Sequence, residues 1–169
     1  MKTYQIDLKS ISPTMIYEYD WTLQDDFFES VEATDVKRGR VRAFLDVIRV
    51  AQTFELTFRL EGEVTVMCDR CLDDVELPVV ANNRLTVSFG EAYEEVSDEH
   101  IIVDAEDGII DLAWIFYENI VLALPMKRVH EDGKCNEVMA QKLKELSVEN
   151  NDKDSNIDPR WEDLLKVKN

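Results

Sequence analysis

Apolar and polar residues alternate through most of the N-terminal half. Val41, Ala43, Leu45 and Val47 share one side of one run. Phe54, Leu56, Phe58 and Leu60 share one side of the next, with Glu55, Thr57, Arg59 and Glu61 opposite. A period of two with a single apolar side predicts antiparallel strands that bury one face. Val75-Glu76-Leu77-Pro78-Val79 and Arg84 to Phe89 continue the pattern, with a kink expected at Asn82-Asn83. Tyr4, Ile6 and Leu8 predict a first strand, and Met15 to Trp21 a second one after the Ser12-Pro13 break. Between them and the long runs, Asp25-Asp26 before Phe27-Phe28 predicts a short helix within Leu23 to Val31, since acidic residues suit a first turn. Lys37-Arg38-Gly39-Arg40 reads as a turn, and Glu61-Gly62-Glu63 as a turn or bulge leading into Val64 to Met67.

The period then changes. Gly90 to Glu99 is acidic and poor in apolar residues, which predicts a mobile loop, and Ile101 to Val103 reads as one more strand. From Asp111, an expected N-cap, Leu112, Ile115, Phe116, Asn119, Ile120, Leu122 and Ala123 recur at helical spacing, widened by Trp114, Tyr117 and Val121. Pro125 ends that helix. Met126 to Cys135 follows as a loop, and Asn136 is expected to cap a helix through Leu146. The fold class is therefore α+β: a twisted antiparallel sheet or open barrel of short strands, with helices after residue 110 packed on it. The expected organisation is one domain over residues 1–146, a polar linker over 147–157 and a short C-terminal helix over 158–169. That last helix has Pro159 at its first position and Trp161, Leu164 and Leu165 on one side.

Charge narrows the partners. The 169 residues carry 36 acidic against 19 basic side chains, a formal net charge of −17. Extensive contact with a phosphate backbone needs clustered cations, whereas an acidic surface speeds encounter with a basic partner. Acidity also serves solubility, so charge by itself does not separate the two roles. No apolar stretch reaches the ~20 residues of a membrane span and no leader pattern is visible. Three cysteines, an odd number, fit a reducing compartment better than a disulfide framework, which makes the cytoplasm the expected location.

The sharpest chemistry is Cys68-Asp69-Arg70-Cys71, a Cys-x-x-Cys turn between strand-like runs. Such a turn supplies half of a closed four-ligand zinc site. His130 and Cys135, five residues apart on the later loop, have the spacing of a second pair. Two other readings of the thiols stand beside a structural zinc. A redox dithiol is one, although that usually sits at a helix N-terminus, and a pair of plain reduced cysteines is the other. For His130, the bland reading is a surface histidine between Arg128 and Glu131. If all four converge, they clip the segment between residues 71 and 130 back onto the sheet.

Taken in order, several pieces resemble the YceD family, the large-subunit ribosomal RNA accumulation proteins of bacteria and plastids. They are Cys68 to Cys71, then Ile110-Asp111-Leu112 leading through Glu118 to Leu122-Ala123-Leu124-Pro125. The Val129-His130 to Cys135 loop and the tail Asp158-Pro159-Arg160-Trp161 complete the set. The resemblance implies a non-enzymatic factor for accumulation of large-subunit ribosomal RNA, hence for ribosome assembly. It also implies a ribosomal protein as partner, because the family is often encoded beside a small zinc-ribbon protein of the large subunit. Some members have two cysteines in the downstream half of the motif, where this chain has one cysteine and one histidine.

Three functions follow. The first is an assembly factor that engages a basic ribosomal protein or a pre-ribosomal particle. The second is direct binding of ribosomal RNA through Lys37, Arg38, Arg40 and Arg42, joined by Lys127 and Arg128, with Trp161 as a further contact. The third is a zinc or thiol enzyme. Against it, three cysteines and a histidine would fill every coordination position, and no His-Glu-x-x-His, phosphate loop or Gly-x-Ser-x-Gly is present.

Overall fold

The computed structural model describes residues 4–147. The expected helix over 158–169 with Trp161, and the linker beyond Ser147, lie outside them. The chain divides into two units, Met1–Asn136 and Glu137–Asn169. The first holds eight strands, two α-helices and a 3-10 turn at Leu8–Ser10 among the described residues: β1 (Gln5–Asp7), β2 (Ile16–Leu23), α1 (Asp25–Ser30), β3 (Arg38–Val50), β4 (Thr53–Met67), β5 (Asp74–Gly90), β6 (Glu94–Ser97), β7 (His100–Asp104), β8 (Ile109–Asp111) and α2 (Ala113–Ala123). The second contributes α3 (Glu137–Leu146), with no buried residue.

Six strands form one open sheet in the order β2-β3-β4-β5-β7-β6, while β1 and β8 pair separately. The expected α+β class with a twisted, largely antiparallel sheet is what the chain adopts. The strands are not short, however. β3, β4 and β5 run 13, 15 and 17 residues and pair without a register break. Arg38 to Arg40 therefore open β3 rather than forming a turn, and Glu61-Gly62-Glu63 lies inside β4 rather than turning the chain. Gly62 passes there because it has no side chain to meet β3.

Asn82-Asn83 causes no register break either. Asn83 pairs across from the buried Phe58 but is itself exposed, and its Nδ2 donates to Oδ1 of the buried Asn119 at 2.9 Å. The acidic stretch expected as a mobile loop contains β6, an exposed strand at the sheet edge. β7 then takes the inner slot, parallel to β5, and buries Ile101 and Val103. Placing the charged strand outermost is a common way to blunt an edge.

One face of the sheet carries the core. Val41, Leu45, Phe58, Leu60 and Val87 are fully buried on that face. Phe116 of α2 stands edge-on to Phe58 at 5.9 Å and to Tyr4 at 6.3 Å, and tilted against Trp21 at 5.3 Å. Phe116, Tyr117, Asn119 and Ile120 make the buried side of α2. Leu122 and Trp114, counted from the sequence in the apolar stripe, are 76% and 57% exposed. The period of 3.6 allows one side to face the sheet, and these two residues fall beyond it. Asp111 supplies the expected capping bond, accepting from the Ala113 N–H at 2.9 Å, although Leu112 is the residue at the boundary.

A methyl group on Gly62 would stand 2.2 Å from the Arg40 carbonyl oxygen and 2.7 Å from the Val41 Cα. Gly62→Ala is expected to lower stability by about 1–3 kcal/mol, the usual cost of overpacking. The measurement is the urea midpoint, with the slope of the transition unchanged. A midpoint equal to wild type would show that β3 and β4 can separate there without cost.

Candidate metal centre

The Cys-x-x-Cys turn is the tip of the long β4–β5 hairpin. Met67 and Asp74 are the last ladder partners, so Cys68 to Asp73 form the connection. Within it the Cys68 N–H donates to the Asp73 carbonyl at 2.8 Å, and the Leu72 N–H to the Cys68 carbonyl at 2.9 Å. Leu72 takes the left-handed backbone (φ 66°) that this tight turn requires. The Arg70 N–H points at Cys68 Sγ, 3.4 Å away.

The loop after Pro125 is laced to this tip by hydrogen bonds. Asp69 N–H donates to the Arg128 carbonyl at 2.8 Å, and Asp69 Oδ2 accepts from the Arg128 N–H at 2.7 Å. Asn136 Nδ2 donates to Asp73 Oδ2 at 3.0 Å. Arg128 is anchored further by Asp35, at 2.8 Å. These bonds bring His130 and Cys135 to the hairpin. The ligand atoms of Cys68, Cys71, His130 and Cys135 lie within 4.8 Å of one another.

His130 is oriented from behind. Its Nε2 is 3.0 Å from the Asp74 carbonyl, an acceptor only, so Nε2 carries the proton. Nδ1 then faces the thiols, 3.4 Å from Cys71 Sγ and 3.9 Å from Cys135 Sγ. A backbone carbonyl behind a histidine is the usual means of fixing the metal-binding tautomer. Ligands on a tetrahedral zinc stand roughly 3.5–3.8 Å apart. The four donors are therefore a small adjustment from that spacing, and the set could hold a metal ion.

The thiols are not equivalent. Burial raises the Cys68 pKa, but the N–H groups of Cys71, Arg70 and His130 and the Cys71 thiol aim at its sulfur and bring it down to about 6. Burial, followed by the two neighbouring thiols, pushes Cys135 up. A donor-rich site favours the anion, and a site beside other sulfurs disfavours it.

The other residues singled out in the sequence do not gather into one patch. Lys37 and Arg38 both meet Asp74, at 2.5 and 3.7 Å. Arg42 lies over the Phe44 ring at 4.7 Å, on the sheet face away from the core, and Arg128 is held by Asp35. Arg40 and Lys127 make no ion pair among the described residues, and Trp161 lies outside them. A cavity of about 890 Å³ is lined by both signs of charge, among them Asp25, Asp26, Arg38, Arg40 and Glu63, with no cysteine or histidine. The lacing by Asp69 and Arg128 has no clear sequence signature, because half of it is backbone. The one available hint was an aspartate inside the cysteine turn.

An α+β protein with a single-faced sheet and a Cys₃His cluster at its longest hairpin is the class that fold and site define. Residues 56–168 match the family described as "Large ribosomal RNA subunit accumulation protein YceD", well over half of the chain. The chain belongs to that family. It is 28% identical over 160 residues to the "Uncharacterized protein YlbN" of Bacillus subtilis (strain 168), covering 92% of this chain and 90% of the relative. No solved structure matches. Among the described residues no helix is long and apolar enough to cross a membrane.

Because the folded Cys68 pKa is below the usual thiol value of 9.0, its thiolate adds stability that is complete above that value and lost as pH falls through about 6. In metal-free protein, thiolate absorbance near 240 nm is expected to show a first step near pH 6, absent from Cys68→Ser. A single step at the ordinary thiol pKa in both proteins would contradict the geometry.

Proposed function

We propose that this protein is a non-enzymatic factor for accumulation of large-subunit ribosomal RNA, acting in ribosome assembly by engaging a basic ribosomal protein or the pre-ribosomal particle. The family match over residues 56–168 is the observation that carries this reading. The net charge of −17 supports a basic partner over bare RNA. So does the pairing of Lys37 and Arg38 with the single carboxylate of Asp74, and of Arg128 with Asp35. The site of action in this reading is the cytoplasm, where the large subunit matures.

Cys68, Cys71, His130 and Cys135 are the residues that would hold a structural zinc. The ion would supply a cross-link between the hairpin tip and the loop after Pro125, with charge compensation for the thiolates. Four protein ligands leave no open position for substrate, which is why the reading is structural and not catalytic. The residues fit this role in donor type, in proximity and in the tautomer of His130.

Two measurements test these claims separately. Capture of tagged protein at low salt is expected to return large-subunit components, released as salt rises; no ribosomal component at any salt would overturn the assembly reading. Purified wild type is expected to contain close to one zinc per chain, with a several-fold loss in Cys135→Ser and His130→Ala. Equal, near-zero zinc in all three would end the metal assignment and leave the family membership untouched.

A further inference from the structure

α2 has one side in the core and the other in water. Phe116, Tyr117, Asn119 and Ile120 are buried, while Trp114, Glu118 and Leu122 are exposed. Residues four apart share a side of a helix, so these three form a ridge about 12 Å long at ~1.5 Å per residue. Pro125 and Met126, also exposed, follow directly after the helix. Trp114 meets its neighbour Tyr117 with ring centroids 5.3 Å apart, yet more than half of it stays in water. The water-facing side of a surface helix ordinarily carries charged residues of both signs. Here it carries tryptophan, glutamate and leucine, and α2 has no lysine or arginine at all.

The lack of cations extends well beyond the helix. Between Arg84 and Lys127 the chain has ten carboxylates and no lysine or arginine, so all 19 of its cations lie outside that stretch. None of the ten carboxylates forms an ion pair among the described residues. The stretch includes β6, and Tyr93 relates that strand to the ridge. Exposed just before β6, Tyr93 donates to Glu95 Oε1 at 2.9 Å. Partial burial, that hydrogen bond, and the charges of Glu95 and Glu118 push its pKa up to about 12. Glu118 is thus near enough for its charge to act on Tyr93, and the apolar ridge is bordered by carboxylates that no cation of the described residues pairs with.

We infer that the outward ridge of α2 is a docking surface for a basic amphipathic helix of a partner protein. Apolar residues of that helix, three to four apart, would cover Trp114 and Leu122 while its lysines or arginines meet Glu118 and the carboxylates near Tyr93. This rests on the assembly-factor reading for the identity of the partner, and it names the surface that partner would use. Tryptophan is among the residues that most often carry the binding energy of an interface. A second copy of this chain fits poorly, because α2 packed antiparallel on itself would bring the two Glu118 carboxylates to the crossing point. RNA fits poorly too, since the ridge offers a phosphate backbone no cation.

The test uses full-length protein and a short synthetic peptide without tryptophan, its leucines at helical spacing on one side and lysines on the other. Beside it stands a peptide of the same composition with the leucines spread round all sides. The amphipathic peptide is expected to bind in a salt-sensitive way and to shift the Trp114 indole N–H resonance, identified by its absence from Trp114→Phe. Leu122→Ala is expected to weaken binding about tenfold, the scale of one buried leucine. Glu118→Lys is expected to weaken it about threefold and to flatten the salt dependence. Both side chains are exposed, so thermal unfolding is expected to stay at the wild-type temperature in each variant.

Equal binding of both peptides, full affinity in Leu122→Ala, or binding that leaves the Trp114 resonance unmoved would overturn the inference. So would self-association abolished by Leu122→Ala, which would make a second copy the occupant. A Trp114 resonance displaced by Trp161→Ala without peptide would make the chain's own tail the occupant, with the same consequence, and so would an RNA oligomer that shifts it as strongly as the peptide does. Capture of large-subunit components at wild-type yield by a chain carrying both Leu122→Ala and Glu118→Lys would sink this surface alone. If wild type captures none, the assembly reading falls while the peptide measurement still decides the ridge.

Discussion

Phe116 is the contact around which the first unit closes. A sheet with one apolar face must cover it, and the covering element here is a helix of only 11 residues. Such a helix gains little from propensity and is held by what it buries. Phe116 meets aromatic rings from β2, β4 and the segment just before β1, and so ties together elements far apart in the chain. The Asn83–Asn119 bond adds a polar fixed point at the same layer, with the amide of Asn119 also satisfied by the Ile115 carbonyl. A buried amide with full partners, as Asn119 is, sets position more strictly than apolar contacts do, because any shift leaves a donor or acceptor unmet.

That dependence explains which parts of the fold the sequence revealed. The alternation from Val41 to Leu60 identifies the buried face residue by residue, because a one-residue slip would turn every side chain to the wrong side. Strand length was harder to read. Gly62 and the Asn82-Asn83 pair look like punctuation, yet each serves a neighbour: Gly62 clears the backbone of β3, and Asn83 meets a helix that lies 36 residues later. Lys37 to Arg40 looked like a turn for the same reason, although the cross-strand partners Thr65, Val64 and Glu63 make Arg38 to Arg40 a strand start. The parallel β5–β7 pairing was invisible, since periodicity gives faces and not neighbours.

The thiol cluster was legible in its donors and not in its scaffold. Spacing brought out Cys68, Cys71, His130 and Cys135, because metal ligands come as side chains with few permitted intervals. What gathers them is mostly backbone: the Asp69–Arg128 exchange and the Asp74 carbonyl behind His130. These bonds do not need an ion. A metal bound there would add a cross-link to the same arrangement.

The direction of the hydrogen bonds at Cys68 carries that point further. A protonated thiol is a weak donor that wants an acceptor, but the N–H groups around this sulfur all point toward it. Donors gathered on one atom favour its anionic form, and a buried anion is costly unless something positive compensates it. Arg70, the nearest cation in the chain, does not supply this, as its guanidinium turns to Asp132 at 4.0 Å. A cation shared with Cys71, Cys135 and the Nδ1 of His130 would remove that cost without moving the backbone. The same reasoning sets the knuckle apart from the acidic surface, where carboxylates face water. The chain thus has two kinds of anionic group, thiols gathered at one turn in a set that could hold a small ion, and carboxylates open to water.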